Sequence, residues 1–190
     1  MLQFLPNFIG RSFKHKRAGK INSLFFESSL KNIETSISIS SDDFSNDGFL
    51  KKINSADESG LFPKINWNNY PLKTKSFLIV VEDLDSPTLT PLLHLIAYGI
   101  PATKNYISHD DVISVSKTKE FKLGRNSMMT KGWMPPDPPP GHGTHRYLFE
   151  VFAADAIPNE NFKPTRHGIN EFLKNHGIAK GMITGLYERK

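Results

Sequence analysis

Between Trp133 and Tyr147 the chain reads MPPDPPPGHGTHR, which gathers five of its 13 prolines, two glycines and two histidines. Proline fixes φ near about −65° and removes a backbone donor, so Pro135 to Pro140 cannot be helix interior or a central strand. The stretch must be a stiff extended loop ending in a flexible turn at Gly141-His142-Gly143. It delivers His145, Arg146 and Tyr147 into an apolar run, Leu148 to Ala154. Such a loop suits a binding wall, and its composition equally suits a proline-rich surface loop with no ligand.

Around this loop the periodicity is mostly that of strands. Ile33 to Ile39 alternates apolar and polar, the pattern of a half-buried strand. Ser40 to Gly60 is rich in turn residues around one short strand near Phe49 to Ile53. Leu61 to Trp67 is apolar at alternate positions, and Ser76 to Asp83 (SFLIVVED) is a continuous apolar run that implies burial on both faces. Counting by two sets Phe77, Ile79, Val81 and Asp83 on one face. Leu92 to Ile100 is a second buried strand, in which the same count groups His94, Ile96 and Tyr98. Ser108 to Lys122 reads as a polar segment. His145 to Ala153 aligns His145, Tyr147, Phe149 and Val151. Ile169, Phe172, Leu173 and His176 have helical spacing, with Gly177 as a C′ stop, and Met182 to Arg189 reads as a last strand. Many short strands, Pro/Gly turns and one late helix predict a mainly β fold, an antiparallel sandwich with a peripheral C-terminal helix.

Charge divides the chain. Residues 1–20 carry Arg11, Lys14, Lys16, Arg17 and Lys20 with no acid, and the remaining 19 Lys and Arg balance 19 Asp and Glu. We therefore expect a basic arm over 1–30, solvated, and one domain over 31–190. Phe4, Leu5, Phe8 and Ile9 suit a short amphipathic helix within the arm. A neutral body argues against a nucleic-acid groove, which needs clustered cations to displace counterions. With no cysteine there is no disulfide, thiolate nucleophile or Cys-based zinc site. The first residues lack the charge order of a secretory signal, and no apolar run reaches the about 18 residues that span a bilayer. The expectation is a cytoplasmic protein without a transmembrane segment.

Asp83, His94 and His145 each adjoin an apolar strand. If those strands are neighbours, one carboxylate and two imidazoles meet at an apolar pocket and suit a phosphate or carboxylate. Each has a plainer reading. A strand histidine is commonly a hydrogen-bonded structural residue, and Asp83-Leu84-Asp85-Ser86-Pro87 suits turn chemistry. A metal set has no support from spacing, so no metal or cofactor is expected. Ser86, Ser127 and Thr144 lie in no nucleophile elbow.

Taken in order, these segments resemble the phosphatidylethanolamine-binding protein family (Raf kinase inhibitor protein-like), most closely its bacterial members, over about residues 35 to 189. Asp83-Leu84-Asp85-Ser86-Pro87 resembles the family's D-P-D-A-P, and His94-Leu95-Ile96-Ala97 its following histidine strand. Pro135 to Tyr147 resembles G-P-x-P-P-x-G-x-x-H-R-Y. Phe62 to Trp67 is similar to S-P-x-L-x-W and Gly124-Arg125-Asn126-Ser127 to G-x-N-[DS]; Thr184 to Arg189 also fits. The chain departs at Leu84 (a proline in the family), Ser86 (an alanine), Leu92 (often aromatic) and Pro135 (a glycine).

The resemblance implies a Greek-key β-sandwich with a small anion cavity made of Asp83, Ser86, Pro87, His94, Pro139, His145 and Tyr147. His94 and His145 would donate to the anion, Tyr147 would line the cavity or donate, and Asp83 would orient His94 or take a cationic end. His142 is set aside as a loop residue. The function implied is non-enzymatic binding of a phosphate- or carboxylate-bearing ligand or phospholipid head group, with modulation of a kinase or protease. Partners expected are that ligand, such a protein or a second copy in a homodimer. The alternatives are a weak hydrolase using an Asp/His pair and a regulatory interaction protein with an unoccupied pocket.

Overall fold

The computed structural model describes residues 11–13 and 15–189; the amphipathic helix expected from Phe4 to Ile9 lies outside them. The strands are β1 Glu34–Thr35, β2 Ser38–Ser41, β3 Gly48–Phe49, β4 Ile65–Asn68, β5 Ser76–Asp83, β6 Leu92–Pro101, β7 Tyr106–Ile107, β8 Lys122–Leu123, β9 His145–Ala154 and β10 Gly177–Tyr187. The helices are α1 His109–Thr118 and α2 Arg166–His176. One sheet runs β1-β10-β9-β5-β6-β8, with β3 also on β10; the other runs β2-β4-β7. β1 and β3 join β10 in parallel, whereas the long strands are antiparallel.

The position of β5 explains its composition. Phe77, Ile79 and Val81 pack with Trp67 of the smaller sheet, while Leu78 and Val80 pack with Leu24, Leu30, Ile169 and Leu173. A strand covered on both faces has no polar side to offer, hence the continuous apolar run. The mainly β sandwich expected from the sequence is the fold observed.

Local departures have local causes. The β5–β6 register shifts between Val81/Glu82, where Val81 faces Leu95 but Glu82 faces Leu93, so His94 is an extra residue in the ladder. This bulge breaks the period-two count. His94 turns toward Trp133 and Tyr147, while Ile96 and Tyr98 belong to the opposite face. Ser108 to Lys122 contains a helix, α1, whose capping box joins the Ser108 side chain to the Asp111 backbone and the Asp111 side chain to the Ser108 backbone. Gly177 is required by closeness rather than by a left-handed cap: its φ is −71°, and an added Cβ would lie 2.6 Å from Leu173 O. The last strand begins there and pairs with β9 along nearly its full length.

Residues 24–30 form short 3₁₀ turns on the sheet's outer face, with Leu24, Phe25 and Leu30 buried. Two buried carboxylates hold them: Glu82 accepts from Leu24 N–H at 2.8 Å and Glu150 from Phe25 N–H at 3.0 Å. Arg166 pairs with Glu82, and Lys180 Nζ donates to Phe25 O (2.8 Å) and Leu30 O (3.0 Å). Burial raises the pKa of both glutamates, that of Glu150 well above the ordinary range, so the pair favours sharing a proton. No helix among the described residues is long and apolar enough to cross a membrane.

Candidate functional site

Asp83 ends β5 and is the register partner of Tyr147 on β9. His145 is two residues before Tyr147 and so shares its face. This register places His145 Nδ1 2.8 Å from Asp83 Oδ2 and 3.1 Å from Oδ1. Asp83 therefore orients His145, not His94, the first of the two roles that the resemblance implied. His94, turned inward by its bulge, lies with its ring 5.1 Å from that of Tyr147 and 6.0 Å from that of Trp133.

The proline loop fixes the tautomer of His94. Its Nδ1 is 2.6 Å from Met134 O, a group that only accepts, so Nδ1 carries a hydrogen. The backbone closes the same pairing through Met134 N–H to His94 O at 2.8 Å. Burial lowers the pKa of His94, and the neutral ring then presents Nε2 as a lone pair. In this arrangement His94 accepts where donation was expected. Neither His94 Nε2 nor Tyr147 Oη has a hydrogen-bond partner among the described residues.

His142 is the residue that sequence reasoning passed over. It is fully buried; its Nδ1 is 2.6 Å from His145 Nε2 and its Nε2 is 2.8 Å from Phe13 O. Asp83, His145, His142 and the Phe13 carbonyl thus form a chain of three hydrogen bonds with an acceptor at each end. Two neutral imidazoles and an ionised carboxylate supply two hydrogens, so the closed chain holds one more. Because Nε2 of His142 must donate to the carbonyl, its Nδ1 accepts unless His142 itself is the cation. Burial lowers the pKa of His142, with His145 and Arg17 adding to the effect. With His142 neutral and its hydrogen on Nε2, the bond between the two rings runs from His145 Nε2–H to His142 Nδ1.

Asp85 anchors the surrounding loop. It is 1% exposed and accepts from Arg146 N–H, Nε and Nη2, each at 2.8 Å, while Arg17 Nη1 lies 2.8 Å from it. Burial opposes its ionisation, but the hydrogen bonds from Arg146 and Arg17 prevail and hold its pKa at about 2. Arg17 also donates to Thr144 O (3.0 Å) and His142 O (3.3 Å). Ala18 and Gly19 bond through their N–H groups to Ser86 O and Leu84 O. Residues 15–19 are thus tied to the Asp83–Pro87 loop, and Arg17 is an ion-paired residue, not a solvated cation. The Ser86 hydroxyl donates to Asp83 O and lies 2.8 Å from Thr88 Oγ1, so it is used within the loop.

The prolines, lacking donors, contribute acceptors. Pro136 O accepts from Ala56 N–H, Pro138 O from Arg189 Nη1 and Pro139 O from His142 N–H. Gly141 and Gly143 turn the chain back with φ of 78° and 97°. The last contact sets the His142 turn, and Pro139 enters the site through its backbone. Pro87 is half-buried at the end of its loop. Asp83, His94, His145 and Tyr147 are each at most 4% exposed, so the carried-over pocket is closed. An open cleft of about 690 Å³ lies elsewhere, on the α1 side of Trp133. Among the described residues no group of three His, Asp or Glu is placed to hold a metal ion.

A family model described as phosphatidylethanolamine-binding protein matches residues 40–188. The UPF0098 protein of Aquifex aeolicus is 33% identical over 148 residues, which span 77% of this chain and 85% of that protein. The phomoidride biosynthesis cluster protein B of a fungal species is 31% identical over 201 residues, spanning 99% of this chain and 96% of that protein. The Escherichia coli protein YbcL, described as a member of the mammalian PEBP family, is 26% identical with a TM-score of 0.73, covering 82% of this chain and all of that one. A Chlamydia trachomatis PEBP homologue shares the fold at 24% identity, with a TM-score of 0.73 over 83% of this chain and all of that one.

Proposed function

Because the chain belongs to the phosphatidylethanolamine-binding protein family, we propose that it binds a small phosphate-bearing ligand between His94, His145 and Tyr147. The observation that carries this reading is the pair of buried polar atoms without partners, His94 Nε2 and Tyr147 Oη. A buried polar group left unbonded costs about 1–3 kcal/mol, so two of them on rings 5.1 Å apart favour a ligand that satisfies both. Their roles define its chemistry. His145 Nε2–H and Tyr147 O–H donate, and neutral His94 accepts. A singly protonated phosphate monoester matches, giving its O–H to His94 and two oxygens to the donors. The head group of a phospholipid and free phosphoethanolamine share that chemistry. Asp83, already bonded to His145 and to Asp85 N–H, positions His145 and is not free for a cationic end.

The test is calorimetric titration of the full chain with inorganic phosphate and O-phosphoethanolamine. Saturable binding to wild type, weakened at least about tenfold by Tyr147→Phe and by His94→Leu, supports the reading. Binding unaffected by both substitutions, or none to wild type, rejects it.

A second reading rests on the Asp83–His145–His142 chain, which is an acid–base relay in form. The fungal relative matched along almost the whole chain is named for a biosynthesis cluster, in keeping with chemistry at such a relay. Against this reading, the Ser86 hydroxyl is engaged by Asp83 O and Thr88 Oγ1 and so is not presented as a nucleophile. Turnover of an ester or phosphoester that disappears in Asp83→Asn would favour this reading.

A further inference from the structure

We propose that His142 is an internal competitor for the anion, held in place by the Phe13 carbonyl and by Arg17, so that residues 15–19 are a strap which must lift before ligand binds. The proposal rests on the binding site described above and names its regulation.

His145 has two ring nitrogens. Nδ1 is committed to Asp83, which leaves Nε2 as the one donor it can offer a ligand oxygen. That nitrogen is 2.6 Å from His142 Nδ1. Nε2 of His142 donates to Phe13 O at 2.8 Å and burial favours the neutral ring, so Nδ1 presents a lone pair to His145 as a phosphate oxygen would. The carbonyl of Phe13 thus selects the form of His142 that imitates the ligand. A ligand oxygen and His142 Nδ1 cannot both take the same N–H in line, so binding displaces His142.

The strap supports this pose from outside. Arg17 spans Asp85 (2.8 Å), Thr144 O (3.0 Å) and His142 O (3.3 Å), and so ties the His142 turn to the Asp83–Pro87 loop. Gly143 beside it has a φ of 97°, a backbone conformation that L side chains rarely adopt, and so shapes the turn that Arg17 crosses. Where Arg17 crosses, its side chain is 31% exposed, whereas His142 beneath is fully buried. The strap can therefore be loosened without altering any pocket side chain. If the free protein spends about a tenth of its time open, the apparent dissociation constant is about tenfold above that of the open form.

Inorganic phosphate is titrated into full-length wild type, His142→Ala and Arg17→Ala, with trypsin cleavage after Lys16 and Arg17 followed in wild type with and without saturating phosphate. Arg17→Ala carries the test if His142→Ala fails to fold. Expected are affinities about tenfold tighter in the variants, and faster cleavage of wild type when phosphate is bound. Binding to wild type with equal or weaker affinity in Arg17→Ala, or cleavage slowed by phosphate, overturns the competitor and leaves the binding site standing. No binding by any of the three removes the binding site and the competitor with it.

Discussion

Replacing Asp85 by asparagine tests how the loop around the site is held. The carboxylate receives three hydrogen bonds from Arg146 and an ion pair from Arg17, which hold its pKa at about 2. An unfolded aspartate titrates near about 3.9, and each unit of difference is worth about 1.36 kcal/mol. The ionised form therefore contributes about 2–3 kcal/mol to folding. The folded value is depressed, so this contribution is fully present above about pH 4 and is lost as pH falls toward 2. The substituted amide keeps the shape and one acceptor, but not the charge. Both guanidinium partners are partly exposed, at 31% and 43% of their side chains, so water solvates them once the carboxylate is gone. In urea unfolding at pH 7, with a slope of about 2 kcal/mol per molar, Asp85→Asn should lower the midpoint by about 1 M. At pH 2.5 most of the gap should close. An unchanged midpoint at pH 7, or a gap equally large at both pH values, would refute the reasoning.

Three further tests probe other parts of the fold. Glu150→Gln should alter stability at pH 7 by less than about 1 kcal/mol, because Glu150 is already the protonated member of its pair, whereas Glu82→Gln removes the partner of Arg166 and should cost about 3 kcal/mol. Thermal melts of both check the contrast. Gly181→Ala sets a Cβ 2.2 Å from Ile37 O and should cost about 1–3 kcal/mol in denaturant unfolding, since backbone must shift to relieve it. Ser108→Ala removes one half of the α1 capping box and should cost about 1 kcal/mol, with faster amide exchange confined to the first turn.

What the sequence disclosed depended on how local the cause was. β5 was legible because a strand buried on both faces must be apolar throughout. The face shared by His145, Tyr147, Phe149 and Val151 was legible because β9 runs without a bulge on that side. His94 was misplaced by a single extra residue, which period-two counting cannot register. α1 was overlooked although Ser108-x-x-Asp111 is a capping-box signal, because its helix is polar enough to resemble a loop. Gly177 drew notice as a stop, but its need comes from Ile33 and Leu173 in contact. His142 had no periodic signature: a turn set by Pro139 O, Gly141 and Gly143 brings it to His145, and its other partner lies 129 residues away. Arg17 carried only a charge in the sequence, and its partners across the site arise from tertiary packing.

The central claim is that phosphate meets His145 and His94 directly. Imidazole nitrogen resonances followed by NMR during titration with O-phosphoethanolamine report on both rings at once. The account predicts that Nε2 of His145 and Nε2 of His94 shift together to saturation, while His145 Nδ1, held by Asp83, shifts least. Saturable binding with both Nε2 resonances unmoved would contradict it.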